Sequence, residues 1–246
     1  MQTTSLAKTI DAVLLDMDGT ILNSIKTAER IWSTWAQRHG IDVVAFIPTI
    51  HGVQSVETIR RLALPGVDPE TEAAAITKAE IEDVDGIEAI AGAAAFLSAL
   101  PAAHWAIVTS APRALALRRI EAAGLPAPPL LVAAEDVACG KPAPDCFHLA
   151  AEKLGTTASR CLVLEDSVAG VASATSSGAT VLVVTATHHA AIDTIHATIK
   201  DYHDLVLERL PDGSVLIDHA QAVVDPAVGI ACVLQAAVQP IHSSTA

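Results

Sequence analysis

Five short runs of apolar residues recur along the chain, and each ends where polar residues begin. The runs are Ala12 to Leu15, Ala106 to Thr109, Leu130 to Ala133, Cys161 to Leu164 and Thr180 to Thr185. A strand with one solvent-facing side alternates apolar and polar residues, whereas these runs are apolar almost throughout, which is typical of strands covered on both faces. We therefore predict that they form a buried parallel sheet.

Helical patterns fill the spaces between the later runs. They extend over Pro112 to Ala123, Pro144 to Leu154 and Val168 to Ser177, and each stops at a glycine, the residue that most easily ends a helix. Strands that alternate with helices in this way predict an α/β fold with a doubly wound parallel sheet.

The interval from residue 23 to residue 88 interrupts the alternation, because it contains helical patterns and no convincing strand. Apolar residues that fall near one face of a first helix, before Gly40, are Ile25, Ala28, Trp32, Trp35 and Ala36. Asp68, Pro69 and Glu70 are the residue types favoured at the N-cap and first turn of another helix. We predict a helical cap domain, residues 23–88, inserted into a Rossmann-like core domain made of residues 1–22 and 89–246.

Two further apolar runs near the end of the chain, Leu205 to Leu207 and Val215 to Ile217, flank Pro211-Asp212-Gly213. Turn residues between short strands predict a hairpin, which we place at the sheet edge. The later stretch from Ala227 to Ile241 is shorter than a membrane span and contains two glutamines, so a buried or interface helix is favoured there.

Composition and charge limit the kinds of molecule that we expect this protein to bind. The chain has 246 residues, of which 51% are hydrophobic, so it can bury a sizeable core. Its net charge is −13, and no basic run offsets the acidic surface. We predict no nucleic-acid partner and no membrane partner, and we expect a monomer or a small homo-oligomer.

The four cysteines, Cys139, Cys146, Cys161 and Cys232, show no C-x-x-C spacing, and no signal-peptide pattern opens the chain. We expect each of them to be a small core residue with a reduced thiol. A cytoplasmic location follows as an expectation.

Residues suited to phosphate chemistry follow four of the predicted strands. Asp16 and Asp18 follow the first strand and run into Gly19 and Thr20. The other strand ends carry Thr109 and Ser110, then Lys141, then Glu165 and Asp166. Because the carboxyl ends of parallel strands share one edge of a sheet, we expect these groups to converge on one crevice.

The chemistry of these groups suggests a division of labour. Carboxylates packed together repel each other, so they need a cation or a proton. Asp16 and Asp166, with Glu165 as a further candidate, suit Mg²⁺. Asp16 could attack phosphorus and form an aspartyl-phosphate, while Asp18, held protonated by its neighbours, protonates the leaving alcohol and later activates water. Lys141 would stabilise the transferring group.

Phosphate contacts are predicted from several smaller groups at the same edge. Gly19 and Thr20 can bring backbone N–H groups and a hydroxyl close to a phosphate, and the hydroxyl of Thr109 or of Ser110 would orient it. Arg113, which follows the second strand end, is a further candidate for a phosphate oxygen.

Each of these features also has a structural interpretation. An Asp-Gly pair forms turns, a Thr-Ser pair caps helices, and Glu165-Asp166 could simply complement a helix dipole. The four groups together, in this order and each at a strand end, favour the catalytic interpretation over the structural one.

The same residues resemble the four ordered motifs of the haloacid dehalogenase superfamily. The motifs are Asp16-Met17-Asp18-Gly19-Thr20, Thr109-Ser110, Gly140-Lys141-Pro142 and Glu165-Asp166-Ser167. The helical insertion after the first motif and the Gly-Lys-Pro-Ala-Pro-Asp form of the third resemble the β-phosphoglucomutase-like subgroup. The resemblance implies that Asp16 is the nucleophile, Asp18 the acid and base, and Lys141 the phosphoryl stabiliser. It also implies that Mg²⁺ is held by Asp16, Asp166 and the carbonyl oxygen of Asp18.

Departures from the family pattern guide the choice of reaction. The family's dehalogenases and phosphonatases lack the second aspartate of the first motif, so Asp18 argues against both. The mutases of the subgroup resemble one another in a Gly-Val-Ser-Arg loop of the cap, where this chain has Gly52-Val53-Gln54-Ser55. By contrast, Ser24, Trp32 and the His51-Gly52 pair resemble the branch that dephosphorylates polyol and deoxyhexose phosphates.

The prediction from sequence is therefore a Mg²⁺-dependent phosphomonoesterase for a small sugar or polyol phosphate. In the cap, His51, Gly52, Gln54 and Ser55 are the candidates for contacting the substrate, although the same loop could merely cap a helix over Val56 to Leu62. His188 and His189 are interpreted as ordinary loop or strand-end histidines. The alternatives kept open are a β-phosphoglucomutase-type mutase and a non-catalytic phosphosugar-binding module.

Overall fold

A computed structural model describes residues 8–188, 193–203, 205–210 and 214–219. In these residues the strands are β1 (Lys8–Ile10), β2 (Ala12–Leu15), β3 (Leu22–Asn23), β4 (Glu88–Ala89), β5 (Trp105–Val108), β6 (Leu131–Val132), β7 (Cys161–Glu165), β8 (Thr180–Val184), β9 (Ala197–Ile199), β10 (Leu205–Arg209) and β11 (Val215–His219). The α-helices are α1 (Ile25–Arg38), α2 (Val43–Phe46), α3 (Ser55–Leu62), α4 (Pro69–Glu82), α5 (Ala93–Ala99), α6 (Arg113–Ala122), α7 (Asp145–Lys153) and α8 (Val168–Ser176).

The central sheet has six parallel strands in the order β6-β5-β2-β7-β8-β9. The chain starts this sheet at β2, adds β5 and β6 on one side, and then crosses to β7 on the other side. All five predicted apolar runs form its strands, and the predicted doubly wound α/β fold is confirmed. The reversal of strand order around β2 is the position where ligands bind in open α/β sheets.

Helices cover both faces of this sheet, which explains why its strands are apolar throughout. Residues of α5 and α6, such as Phe96 and Ile120, pack with Val13 and Leu15 of β2 in one core cluster. Residues of α7 and α8 pack in a second cluster with Leu14, which lies between Val13 and Leu15 in β2. Neighbouring residues of a strand point to opposite faces, so every position of β2 is buried.

The helices α1 to α4 form a helical segment, residues 25–82, with a core of its own. This core includes Trp32, Trp35, Phe46, Ile59 and Ile76. The predicted start of α4 is confirmed, because the Asp68 side chain accepts a hydrogen bond from the backbone N–H of Thr71.

The expectation that residues 23–88 hold no strand is wrong at both ends of the interval. There β3 and β4 pair in an antiparallel ladder, with Leu22 opposite Ala89 and Asn23 opposite Glu88. Strands of two residues are too short to show a periodic pattern. The pair ties together the two chain connections that lead into and out of the helical segment.

A second sheet of three strands has the order β1-β11-β10. Its β10 and β11 form the predicted antiparallel pair, with Leu207 opposite Ile217. The predicted position of this hairpin at the edge of the central sheet is wrong, because β11 pairs with β1 instead. The predicted turn residues, 211–213, lie outside the described residues.

Three remaining expectations concern cysteines, the late apolar stretch and the membrane. Cys146 and Cys161 are buried as expected, whereas Cys139 is exposed, because it lies in a surface loop and not on a strand or helix face. Cys232 and the stretch from Ala227 to Ile241 lie outside the described residues. Among the helices that the structure describes, none has the length and apolar character needed to span a bilayer.

Candidate active site

The loop after β2 places the first carboxylate beneath a tight turn. The Asp16 side chain is nearly buried, and its backbone N–H donates to the Leu164 carbonyl oxygen of β7 at 3.0 Å. Gly19 follows with a φ of +84°, and a Cβ atom at this position would lie 2.0 Å from Oδ2 of Asp166. Both the conformation and the space therefore require glycine here.

Lys141 joins the ends of three strands. Its Nζ donates to Oδ1 of Asp16 at 2.5 Å, to Oε1 of Glu165 at 2.8 Å and to the Val108 carbonyl oxygen at 3.1 Å. The Nζ also lies 5.2 Å from the centre of the Phe147 ring. Burial opposes a charge on Lys141, but the carboxylates of Asp16 and Glu165 outweigh it and raise the pKa of the ammonium group above its ordinary value. Lys141 is therefore a buried, permanently charged group.

Three carboxylates surround this one ammonium group. Oxygen atoms of Asp16, Glu165 and Asp166 all lie within 4.8 Å of one another, and we call these residues the acidic cluster. Burial raises the pKa of Asp16 to about 7, and Glu165 and Asp18 add to the rise while Lys141 opposes it. Burial together with Glu165 and Asp16 raises the pKa of Asp166 well above its ordinary range. The cluster holds more negative charge than Lys141 can neutralise.

The Glu165 carboxylate is already fully engaged within the protein. Its Oε1 binds Lys141, and its Oε2 accepts from the backbone N–H groups of Asp166 and Ser167, at 2.7 and 2.8 Å. The carboxylate fills the space beside Gly170, where a Cβ atom would lie 1.5 Å from Oε1. In this cluster the carboxylates with spare acceptor capacity are those of Asp16 and Asp166, which also share the Thr20 hydroxyl at 3.2 and 3.3 Å.

Asp18 has a different environment from the one that the sequence suggested. Its Oδ1 accepts from the Ser24 hydroxyl at 2.5 Å, and its Oδ2 accepts from Nη1 of Arg119 at 2.9 Å. The sequence predicts neighbours that hold a proton on Asp18, whereas the structure shows a hydroxyl and a guanidinium group that both donate to it. Arg119 also lies 3.0 Å from the carboxylate of Glu80 in α4.

The two hydroxyl residues at the end of β5 have distinct partners. Thr109 is buried, and its Oγ1 accepts from the Ala111 backbone N–H at 3.0 Å. Ser110 instead donates from Oγ to the Gly52 carbonyl oxygen of the helical segment, also at 3.0 Å. Thr109 is thus fixed beside the Lys141 contact at Val108, whereas Ser110 links the central sheet to the helical segment.

Arg113 does not point to the acidic cluster. Its guanidinium group pairs with Asp136 and donates to the Leu131 carbonyl oxygen at 3.2 Å. Its backbone N–H donates to the Glu135 carboxylate at 2.9 Å, which caps the start of α6. The structure therefore places Arg113 among the residues that hold α6 to β6, and we omit it from the candidate site.

The loop before α3 lies close to the central sheet. Gly52 has a φ of +74°, and a Cβ atom there would lie 2.2 Å from Oγ of Ser167. Gln54 donates from Nε2 to the Ala134 carbonyl oxygen at 3.1 Å, and it lies so close to Gly140 that a Cβ there would be 2.9 Å from the amide. None of these contacts joins the Gln54 side chain to a backbone N–H of α3. The structure therefore does not support the interpretation that this side chain caps the helix.

A cavity of about 480 Å³ opens beside this loop, between α3, α4 and the end of β5. Gln54, Ser55 and Ser110 line its polar part, and Val56 and Ile81 belong to its apolar part. Gln54 and Ser55 are thus both at the cavity, and Gln54 is also held against Ala134.

Two histidines lie near the candidate site, His51 close to Asp18 and His188 in contact with Asp166. His51 lies 4.0 Å from the Glu29 carboxylate; burial lowers the pKa of His51, and Glu29 and Asp18 oppose that effect. His188 is an exposed loop residue, as expected, and it contacts the Asp166 carbonyl oxygen through Nε2 at 3.0 Å. His189 lies outside the described residues.

Comparison with known proteins decides the family. Residues 10–178 match the sequence profile of the haloacid dehalogenase-like hydrolases. The chain is a haloacid dehalogenase-like hydrolase.

Relatives within the haloacid dehalogenase-like hydrolases cover most of this chain. Hexitol phosphatase A of Escherichia coli strain K12 is 38% identical over 210 residues, which are 83% of this chain and 97% of that protein. The 2-deoxyglucose-6-phosphate phosphatase 2 of Saccharomyces cerevisiae is 27% identical over 201 residues, 73% of this chain and 81% of that protein. The predicted enzyme class, a phosphatase of this family, is confirmed.

A solved structure supports the fold of this haloacid dehalogenase-like hydrolase. The β-phosphoglucomutase of Clostridium difficile superposes with a TM-score of 0.68 and is 17% identical, with 78% of this chain and 91% of that chain covered. At this level of identity the likeness concerns the fold alone.

Sequence reasoning missed Arg119 and Glu80. Arg119 lies between the buried positions Ala116 and Ile120 of α6, and Glu80 follows the buried Ile76 of α4 by one helical turn. Charged residues on the apolar side of two helices, with opposite signs, were a signal that could have predicted a buried ion pair.

Proposed function

We propose that this chain is a Mg²⁺-dependent phosphomonoesterase that hydrolyses a small sugar or polyol phosphate through an aspartyl-phosphate on Asp16. The observation that carries the proposal is the contact of one buried ammonium group, Lys141, with Asp16 and Glu165, with Asp166 in the same cluster. The names of the relatives, a hexitol phosphatase and a deoxyglucose-phosphate phosphatase, support the class of substrate.

The acidic cluster fits a hard divalent cation by its donor set and by its charge. Mg²⁺ prefers oxygen ligands and usually takes one or two carboxylates, and Asp16 and Asp166 have oxygens free for it. Burial and the neighbouring carboxylates together raise the pKa of both groups, so a bound cation would stabilise their ionised forms. We propose Asp16, Asp166 and the Asp18 carbonyl oxygen as the ligands, and Glu165 as the partner that holds Lys141. When bound, Mg²⁺ would neutralise phosphate charge and orient the phosphoryl group toward Asp16.

In the first step an oxygen of Asp16 attacks phosphorus, and the bond between phosphorus and the alcohol oxygen breaks. Asp18, which takes up a proton from solvent before this step, supplies the proton that the leaving alcohol takes up. Lys141, already bound to Asp16, is placed to share its charge with the transferring phosphoryl oxygens. The Thr109 hydroxyl, with the Gly19 and Thr20 turn, is our candidate for holding the remaining phosphate oxygens.

In the second step a water molecule attacks the phosphorus of the aspartyl-phosphate. Asp18 takes the proton from this water, and the bond between phosphorus and Asp16 breaks to release inorganic phosphate. The two steps restore the protonation states of both aspartates, and the net reaction adds one water to the ester.

The organic part of the substrate is proposed to contact the helical segment. We propose that residues 23–88 act as a cap domain over a core of residues 1–22 and 89–246, and that the cap excludes water and selects the substrate. His51 is the favoured contact because it lies near Glu29 and Asp18. Ser55 lines the adjacent cavity, while Gly52 and Gln54 shape the loop through their contacts with Ser110 and Ala134. A cytoplasmic enzyme without nucleic-acid or membrane partners remains our expectation.

The test is hydrolysis of a panel of sugar, polyol and nucleotide monophosphates, each with Mg²⁺ and with a chelator. We expect release of inorganic phosphate from small sugar or polyol phosphates with Mg²⁺ only, and no turnover by Asp16→Asn. Peptide mapping after rapid acid quench should find the phosphoryl group on the peptide that contains Asp16.

Two outcomes would replace the proposal with another. Isomerised hexose phosphate from β-glucose 1-phosphate and its bisphosphate activator, without free phosphate, would identify a mutase. Binding of phosphosugars without turnover anywhere in the panel would identify a binding module.

A further inference from the structure

We propose that Arg119 is a positioning residue for Asp18, and that Glu80 of the helical segment keeps Arg119 in place. The inference rests on the proposed function, because that function assigns the proton transfers to Asp18. It adds to that function a physical link between the helical segment and the group that moves the proton.

Arg119 is a buried cation shared by two carboxylates. Only 5% of its side chain is exposed, and 4% of that of Glu80. Nη1 donates to Oδ2 of Asp18 at 2.9 Å, and Nη2 lies 3.0 Å from Oε1 of Glu80. A buried charge without partners is strongly destabilising, so the buried pair of Arg119 and Glu80 depend on each other.

Asp18 is held from both ends of the helical segment. Ser24, which binds Oδ1, directly precedes α1, the first helix of the segment. Arg119, which binds Oδ2, reaches Glu80 in α4, the last helix of the segment. The orientation of the Asp18 carboxyl group therefore depends on how the helical segment sits on the central sheet.

The two oxygens of Asp18 then have different tasks. With Oδ2 fixed by Arg119, Oδ1 is the oxygen that carries the transferred proton: it takes this proton from solvent water before the reaction, in place of its contact with Ser24, and gives it to the leaving alcohol. As the proton moves, its bonding electron pair stays on Asp18, and the bond between phosphorus and the alcohol oxygen breaks. The guanidinium group of Arg119 stabilises the carboxylate that results, and Oδ1 later takes the proton from water.

Glu80 holds Arg119 through charge more than through a directed hydrogen bond. Nε and Nη2 of Arg119 are buried and have no hydrogen-bond partner of good geometry in the described structure. Glu80→Gln keeps the shape and removes the charge, so it tests the charge alone.

The experiment compares two phosphate esters that differ in their need for an acid. An alkyl ester such as sorbitol 6-phosphate releases a strongly basic alkoxide, which must be protonated, whereas 4-nitrophenyl phosphate releases a stable phenolate. General acid catalysis contributes about 10²–10⁴ in rate. We expect Arg119→Met to lower kcat/KM for the alkyl ester at least about 100-fold and for the aryl ester less than about 5-fold, since only the first needs the acid.

Three variants separate positioning from stability. Arg118→Met makes the same change at the neighbouring residue, which pairs with Glu121 on the surface, and should leave both rates unchanged. Arg119→Met alone leaves Glu80 buried without a partner, so the double variant Arg119→Met with Glu80→Gln should recover most of the melting temperature. We expect the double variant to remain selectively slow on the alkyl ester, and Arg119→Lys to restore part of that rate.

Recovery of the alkyl-ester rate in the double variant would overturn the proposal, because Arg119 would then serve only to neutralise Glu80. An equal loss on both esters in the folded double variant would also overturn it. A crystal structure of the double variant gives a result that does not depend on activity. The proposal requires the Asp18 carboxyl group to leave its present position there, and an unmoved Asp18 would refute it even if the parent protein hydrolysed no ester.

Discussion

Replacement of Asp166 by asparagine should stabilise the metal-free protein and abolish its response to Mg²⁺. Asparagine keeps the shape of the side chain and can still accept the hydrogen bond from Thr20. It removes one of the three negative charges of the acidic cluster, in which Lys141 is the only lysine or arginine that contacts the carboxylates among the described residues.

The magnitude follows from the separation of the carboxylates. Two like charges 4.8 Å apart repel by about 3 kcal/mol at an effective dielectric constant of about 20. Asp166 is repelled by Asp16 and by Glu165 and attracted by Lys141, so removal of its charge relieves roughly one such pair. We expect the free energy of unfolding without metal to rise by about 1–3 kcal/mol at mildly alkaline pH.

The gain should depend on pH with a definite sign. The folded protein raises the pKa of Asp166 above its ordinary value, so ionisation of this group destabilises the parent as the pH rises. As the pH falls, the parent protonates Asp166 and loses the repulsion, and the advantage of the variant should shrink.

The assay is urea unfolding of parent and variant, with a chelator and then with excess Mg²⁺. A ligand at 100 times its Kd adds about 2.7 kcal/mol, so Mg²⁺ should stabilise the parent by about this amount and the variant much less. The control is Glu152→Gln, which also removes one negative charge but at an exposed position of α7. It should alter neither the free energy of unfolding without metal nor the stabilisation by Mg²⁺. A metal-free Asp166→Asn that is less stable than the parent, or an equal response to Mg²⁺, would refute the reasoning.

Three further predictions concern the same site. Gly19→Ala places a Cβ atom 2.0 Å from Oδ2 of Asp166, at a φ of +84°. Because Asp166 must then move, titration calorimetry should find the Mg²⁺ affinity reduced about 10–100-fold. An unchanged affinity would contradict the packing described. Since the pKa of metal-free Asp16 is about 7, Mg²⁺ binding should release at least one proton and weaken at least about tenfold for each pH unit below 7. Titrations at several pH values check this, and a pH-independent affinity would rule out Asp16 as a ligand. Phe147→Ala should lower the free energy of unfolding by about 3–5 kcal/mol in urea, because the ring is fully buried beneath Lys141, and a loss below about 1 kcal/mol would show that its packing is unimportant.

The convergence of the four motifs could be predicted from sequence because parallel strands constrain it. Once the apolar runs are recognised as neighbouring strands, their carboxyl ends must share an edge, and Asp16, Lys141 and Glu165 must approach one another. The distances of 2.5 and 2.8 Å at Lys141 agree with that expectation. The strands could be assigned because each apolar run is a local pattern of four to six residues.

Features without a local pattern were missed. The pairing of β3 with β4 joins residues far apart in sequence through strands of two residues each. The direction of the Arg113 side chain is set by Asp136, which no motif of the sequence connects with it. Arg119 and Glu80 are charged residues on the apolar sides of their helices, which a local pattern reveals. The contact of Arg119 with both Glu80 and Asp18, however, depends on how α4 packs against α6. Tertiary packing of this kind is decided by the whole fold.

Crystals grown with Mn²⁺ in place of Mg²⁺ test whether the acidic cluster holds one divalent cation for phosphoryl transfer. We expect one anomalous peak bonded to carboxylate oxygens of both Asp16 and Asp166, at about 2.0–2.2 Å. Hydrolysis that requires the metal, together with a peak elsewhere or no peak at these two carboxylates, would contradict it.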